Sequence, residues 1–465
     1  MARFWGKLYW RGADGYEEAR VGHVFNARKP ERYPAGILEA EHEMDVVAAV
    51  QLARQHRLKI SVRSGGHSWA GWSVRDDALL IDLAGLHEIV LDTSTLIVQV
   101  SPSVTGGELN EFLDKHGLMF HGGHCPTVGL GGFLLQGGMG WNCRGWGWAC
   151  EAIKAIDVVT AGGDLLRADD VQHSELLWAA RGAGPGYFGI VTRFHLQVRH
   201  LPRALTQSTY VYALEYFNQV IHWLHEVHPR LAASVEVVAV GATIPLPVEV
   251  EHAGGPVLVV HGLTFAETHA EAVLALAPFE TCPVIDKALV QEVAVPTSLA
   301  LECVEQRRAN PEGYRYAVDN MWTNAGADDV VPALRDAFTT LPTEKSFSLW
   351  FGMAPQRSLP DMALSLQADL YFASYVIWEH EADDERCRTW LATQMRRMEP
   401  ITEGLFLADA DLVTRPAQFL SHAHWERLGA LRASYDPEGL FHSYLAGSTT
   451  QLNVNPWMNE KNKPL

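Results

Sequence analysis

The chain has 465 residues, 48% hydrophobic and 20% charged, with a formal net charge of −18. That length exceeds one ordinary core and suits two lobes, and no run of about 18 apolar residues is present to span a membrane. The acidic balance repels phosphate backbones and anionic lipid, and no basic cluster offsets it, so neither nucleic acid nor membrane is an expected partner.

The opening stretch, MARFWGKLYWRGADGYEEAR, places charges and glycines where a secretion signal needs about 7 to 15 apolar residues, so a cytoplasmic location is expected. From Pro34 to Pro202 helical and strand patterns alternate. The amphipathic stretch Glu43–His56 predicts a helix, and the run Lys59–Val62 a buried strand. Further strands are predicted at Ala78–Leu83, Thr95–Val100 and Ile156–Thr160, with a helix over Gly107–Lys115.

From about Leu205 to Glu403 the strand runs lengthen: Ser208–Leu214, Val235–Ala242, Val257–Leu263, Ser346–Gly352 and Leu370–Trp378. Helical stretches such as Glu215–Glu226 and Glu267–Leu276 lie between them, which predicts an antiparallel sheet with helices on one face. A helix over Pro416–Ala433 then leads to the turn YDPEG. The expected class is α+β in two lobes, with 1–204 and 205–404 as domains and 405–465 returning to the first.

Four glycine-rich segments stand out: SGGHS at Ser64–Ser68, HGGHCPTVGLGG at His121–Gly132, QGGMG at Gln136–Gly140 and RGAGPGYFG at Arg181–Gly189. Glycines this dense mark backbone that bends sharply or closely approaches a ligand. Gly184, Gly186 and Gly189 match the GxGxxG dinucleotide pattern, but a helical run, Ser174–Ala180, precedes them and a strand run, Ile190–Val198, follows. That order is the reverse of a Rossmann turn.

His121, His124, Cys125 and His67 suggest a metal only weakly, because their spacing lacks the separated ligand pairs that zinc prefers; no metal is expected. SGGHS reads instead as a nest of backbone N–H groups after a strand, which holds phosphates without cationic side chains. The six cysteines, Cys125, Cys143, Cys150, Cys282, Cys303 and Cys387, form no CxxC pair and suggest neither a disulfide framework nor a zinc ribbon.

With these segments in order, together with VRSGGHSWAG, IDLAGL at Ile81–Leu86, QGGMGWNCRGWG, IDVVTAGGDLLRA, LLWAARGAGPGYFGIVTRF and YDPEGLF, the chain resembles the FAD-linked oxidases of the vanillyl-alcohol oxidase type, in the berberine-bridge-enzyme-like branch. The resemblance implies a PCMH-type FAD-binding fold, in which 1–204 is the FAD domain of two α+β subdomains and 205–404 binds substrate. It implies FAD bonded twice: His67 to the flavin 8α-methyl and Cys125 to ring carbon C6. Imidazole and thiol are nucleophilic enough near neutral pH for such bonds. Arg63, Ser64, Gly65, Gly66, Ser68, Pro126, Thr127, Val128, Gly129, Gly132, Gly137, Gly138, Gly140, Gly189, Ile190 and Val191 are the other expected cofactor residues. The plainer readings are a packed histidine and an inert buried thiol, with Cys143 and Cys150 as rivals of Cys125. In the resembled family a small residue three places after the linking cysteine leaves room for oxygen, so the resemblance implies an oxidase at Val128; the plainer reading is a packing valine.

Most relatives carry a YxNY-like segment whose second tyrosine is the base, and here the matching stretch is Phe406, Leu407, Ala408, Asp409. Asp409 is the candidate base, its pKa raised by a partly dry pocket; the alternative is a plain loop carboxylate. On the strand Leu370–Trp378, Tyr371 and Tyr375 share one parity and are the second candidates, or simply core aromatics.

The expected reaction moves a hydride from a small, mostly apolar alcohol or amine to FAD, with O2 reduced to hydrogen peroxide. The alternatives are a dehydrogenase of the same fold with another acceptor, oxidation of a sugar or natural-product intermediate, a flavin binder without turnover, and a carbohydrate-binding module. A monomer or homodimer is expected.

Overall fold

The computed structural model describes residues 4–248, 250 and 254–445. Positions 446–465 of the expected C-terminal segment lie outside the described residues. Among the described residues no helix is long and apolar enough to cross a membrane.

Three sheets of four or more strands organise the described residues, beside a two-stranded pairing of Leu118–Met119 with Arg199–His200. The first has four strands in the order Lys7–Trp10, Gly36–Glu39, Leu79–Asp82, Ile60–Arg63. Its last three are parallel, and the helix Glu43–His56 makes one of the crossovers. That helix starts at His42, whose side chain accepts from the Met44 N–H while Asp45 reaches back to the cap, and it buries Val46, Val47, Ala49, Val50 and Ala53 against the sheet. The second sheet is antiparallel, in the order Ile89–Asp92, Ile97–Val100, Ile190–Gln197, Ile153–Val159, Leu165–Asp169.

The third sheet has seven antiparallel strands: Val290–Pro296, Ala204–Tyr212, Val257–Ala266, Val235–Ala242, Phe347–Gly352, Leu370–Trp378, Arg315–Thr323. One face packs Phe372, Val376 and Trp350 under the helices Phe217–Val227, Ala327–Thr339 and Asp384–Met398. On the other face Phe351, Tyr371 and Ala373 join the core of the first lobe. The alternation of side chains along Leu370–Trp378 is therefore as read from its parity.

Two readings need correction. Pro416–Ala433 is not one helix: the helix is His422–Tyr435, capped by Ser421, whose hydroxyl accepts from the His424 N–H. The Leu405 N–H donates to the Gln418 carbonyl, which holds the stretch before the helix extended. The strand Arg315–Thr323 and the helix Asp384–Met398 were absent from the sequence reading, because Asp319 and Asn320 break the apolar run of the former. Beyond the last helix the chain returns to the first sheet, where Ile60 N–H donates to Leu440 O and His442 N–H to Ile60 O, both at 2.8 Å.

Candidate active site

A cavity of about 1260 Å³ runs from the SGGHS loop to the inner face of the seven-stranded sheet. Its floor is built by glycines. The strand Ile60–Arg63 ends at Ser64, and Gly65 then passes back to back with Gly129: a Cβ on either would lie within 2.8 Å of the other's backbone. Gly66 has φ +69, and a Cβ there would meet the His23 carbonyl oxygen at 1.6 Å. Gly66→Ala is therefore expected to destabilise the protein by about 2 kcal/mol or more. A urea midpoint equal to wild type would show that the loop can rearrange.

This crossing brings His67 and Cys125 to one wall. The His67 ring stacks on Phe25, centroids 4.2 Å apart, and burial pushes its pKa down to about 4, against a weaker opposing hydrogen bond to the Thr127 backbone. The imidazole is thus neutral, with a nucleophilic lone pair, across the physiological range. Cys125 is half-buried, its Sγ 3.4 Å from Thr127 Oγ1. Its rivals Cys143 and Cys150 are fully buried outside this wall, their thiols pushed up by burial. Val128 lines the cavity three residues after Cys125.

Asp409 sits in a short turn, Leu407–Asp409, against the sheet at the cavity wall. Its Oδ1 accepts from Trp69 Nε1 at 2.8 Å, and its Oδ2 accepts from Tyr371 OH at 2.7 Å and Tyr375 OH at 2.9 Å. Three donors thus converge on this one carboxylate. Both phenols are pushed well above their usual range, first by burial and then by the Asp409 charge. They stay neutral and donate.

The turn is held by Asn320, whose side chain donates to the Phe406 and Asp409 carbonyls and accepts from the Phe406 N–H. Beside it Arg415 makes a two-point pair with Asp319. Trp69 and Asn320 were missed from sequence. Trp69 follows His67 by two residues in a loop, where no periodicity marks direction, and Asn320 reads as a break in a strand.

The expected cofactor residues divide. Ser64, Gly65, Gly66, Ser68, Gly129, Gly132, Gly189, Ile190 and Val191 line the cavity. Arg63 touches it too, but its guanidinium turns to Asp82 at 2.6 Å and to the Ala19 and Arg20 carbonyls. Pro126, Thr127, Gly137, Gly138 and Gly140 are not among the residues that line the cavity, although Thr127 touches both His67 and Cys125. Gly137 and Gly138 have φ of +102 and +75, and Gly140 allows close passage of the His121 carbonyl; these are backbone packing needs.

Residues 34–169 match the family of the FAD binding domain. Over 430 residues, 92% of this chain and 94% of the relative, the sequence is 37% identical to the FAD-linked oxidoreductase ptmO of Penicillium ochrochloron. The chain belongs to the FAD-linked oxidoreductases. The fold of this FAD-linked oxidoreductase is also that of 6-hydroxy-D-nicotine oxidase from Arthrobacter nicotinovorans, with TM-score 0.81, 21% identity and coverage of 95% of this chain and 97% of the other. Berberine bridge enzyme from Eschscholzia californica superposes with TM-score 0.79 at 19% identity, over 95% and 96% of the two chains.

The cavity of this oxidoreductase fits FAD on its own features. Its volume exceeds the roughly 300 to 1,000 Å³ of an ordinary small-ligand pocket, as a dinucleotide beside a substrate requires. Where Ser61 lines it, Ser61 Oγ, Trp72 Nε1, His442 Nε2 and Ser443 Oγ are buried without a hydrogen-bond partner among the described residues. Unpaired buried polar atoms are costly, so a polar ligand beside them is what they call for.

Proposed function

We propose that this oxidoreductase is an oxidase that bonds FAD through both His67 and Cys125 and removes a substrate proton through Tyr375 and Asp409. The observation that carries this is the Asp409 carboxylate, gripped by Tyr371, Tyr375 and Trp69 on the cavity wall two residues from the His67 loop end. It supplies the base that the departed family tyrosine would have been.

Tyr375 is the less buried of the two phenols and meets the substrate. As the substrate's O–H or N–H proton moves to Tyr375 Oη, the Tyr375 proton moves to Asp409 Oδ2, so that no free phenolate is formed. Trp69 fixes Oδ1, and Tyr371 keeps a donor on Oδ2 throughout. The chemistry FAD supplies when bound is hydride acceptance, followed by delivery of two electrons to O2 to give hydrogen peroxide. A valine at 128 supports oxygen access. The substrate is a mostly apolar alcohol or amine, in keeping with the apolar sheet face opposite Asp409, where Val238, Val240, Val259 and Leu349 line the cavity.

The test is the absorption spectrum of acid-precipitated protein with intact masses of wild type, His67→Ala and Cys125→Ala. Yellow pellets and one FAD of added mass in all three would establish two independent links. A colourless wild-type pellet at the bare polypeptide mass would remove the covalent claim. Peroxide formed one for one with substrate in air is the expected signature of the oxidase; flavin that bleaches with substrate and reoxidises only with an added acceptor would make it a dehydrogenase.

A further inference from the structure

We propose that His261 and Glu302 form a hydroxyl-binding subsite for the far end of an extended, apolar substrate whose near end reacts beside Asp409. This rests on the reading of Asp409 and the tyrosines as the reacting end.

The pleat of the seven-stranded sheet sets the geometry. Side chains directly paired across neighbouring strands share a face. Tyr371 pairs with Phe351, Phe351 with Val238 and Val238 with His261. These four residues form one row, and all line the cavity. Three strand spacings separate the ends, or about 14 Å along the sheet. A second row, Ala373, Leu349, Val240 and Val259, is wholly apolar. The face is thus an apolar track with a hydroxyl-bearing end at Tyr371 and Tyr375 and an imidazole at the other.

At that far end two buried carboxylates and an imidazole leave a gap. Glu236 is buried, with one oxygen 2.8 Å from His124 Nε2 and the other accepting from the Asn142 N–H at 2.8 Å. Glu302 is also buried, and its Oε1 accepts from Thr297 Oγ1 at 2.6 Å. His261 Nδ1 is 3.1 Å from Thr209 Oγ1, which leaves Nε2 facing Glu302 Oε2 across 4.0 Å. That span is too long for a direct hydrogen bond.

A hydroxyl set against both atoms donates its one proton to the carboxylate and therefore accepts from Nε2–H, with His261 Nδ1 accepting from the Thr209 hydroxyl. Burial pushes the His261 pKa down, so the ring is neutral and offers a single donor or acceptor at Nε2. Serine and threonine hydroxyls fill such gaps inside proteins; here the gap opens onto the cavity. The class indicated is an elongated alcohol with a second hydroxyl at the opposite end of an apolar frame, larger than the small alcohol or amine expected from sequence.

The probes are 5α-androstane-3β,17β-diol, a rigid apolar frame with hydroxyls at both ends, and its two mono-ols lacking one or the other. Equilibrium dialysis against the holoenzyme under nitrogen should give a Kd for the diol at least about 10-fold below those of both mono-ols. His261→Phe should raise the diol Kd to the level of the mono-ol that lacks the far hydroxyl while leaving that mono-ol unchanged, and His261→Gln, which keeps a polar end, should recover part of the difference. Equal binding of diol and mono-ols, an equal loss of all three in His261→Phe, or no binding of any would overturn the subsite. Flavin bleaching is recorded in the same samples. Selective diol binding that depends on His261 but never bleaches the flavin would support the subsite and count against Asp409 as the reacting end.

Discussion

Asp409→Asn is expected to slow flavin reduction by substrate about 10³-fold, within the roughly 10² to 10⁴ range of a positioned general base. The substitution is close to isosteric. The amide oxygen can keep the Trp69 N–H, and the two phenols, which then face the amide NH2, can turn their hydroxyls and accept. What disappears is the negative charge that receives the proton. Trp69 and the two tyrosines keep their packing, so covalent FAD loading and substrate Kd should remain near wild type. Stopped-flow reduction under anaerobic conditions separates these quantities, because the limiting rate reports the chemical step and its concentration dependence reports binding. Tyr375→Phe should lose less, about 10- to 100-fold, since the carboxylate then faces the substrate directly or through water. Reduction of Asp409→Asn at the wild-type rate would reduce Asp409 to an anchor for the two phenols.

The parts of this site that were legible in the sequence are those in which composition and conformation coincide. Gly65 and Gly66 cannot carry side chains without striking Gly129 and the His23 carbonyl, so their density in the text of the chain reports a real crossing of backbones. Parity along Leu370–Trp378 placed Tyr371 and Tyr375 on the inner face because strand pleating alternates strictly. The reversal of helix and strand around Gly184–Gly186 was legible for the same reason: both flanking elements have clean patterns.

The parts that were not legible depend on partners remote in sequence. Asn320 holds a turn 86 residues away, and in the chain it only interrupts an apolar run. Trp69 reaches Asp409 across 340 residues. Glu236 and His261 sit inside the runs VEVVAV and VLVVHGLTF, where a polar residue reads as a flaw in a strand until the sheet's order brings the two strands together. Arg63 shows the same dependence: it stands next to the nest and lines the cavity, while Asp82, paired with it in the adjacent parallel strand, takes its guanidinium.

Below pH 6.5 the protein should lose stability steeply, through histidines that are buried neutral. His121 and His228 are 2% and 1% exposed, and burial pushes them down to about 3 and about 4, His225 adding to the effect on His228. In the unfolded chain each returns to about 6.5. Between these values the unfolded state binds a proton that the native state refuses, so the stability contribution is full above pH 6.5 and falls as pH drops toward 4. Each such histidine gives a slope of about 1.4 kcal/mol per pH unit, and the two together should remove about 4 kcal/mol by pH 5. Asp157, held down to about 2 by His195 and Arg167 against its own burial, acts in the same direction only below about pH 4, so it does not contribute at pH 5. Urea midpoints measured from pH 7.5 to 5 test the slope, and His121→Leu, away from the cavity wall, should remove one histidine's share of it. An unchanged slope in that variant would mean that His121 takes up its proton without unfolding. The expected loss bears on the site, since His121 lies four residues before Cys125 and its carbonyl packs against Gly140, in the same segment that carries the thiol.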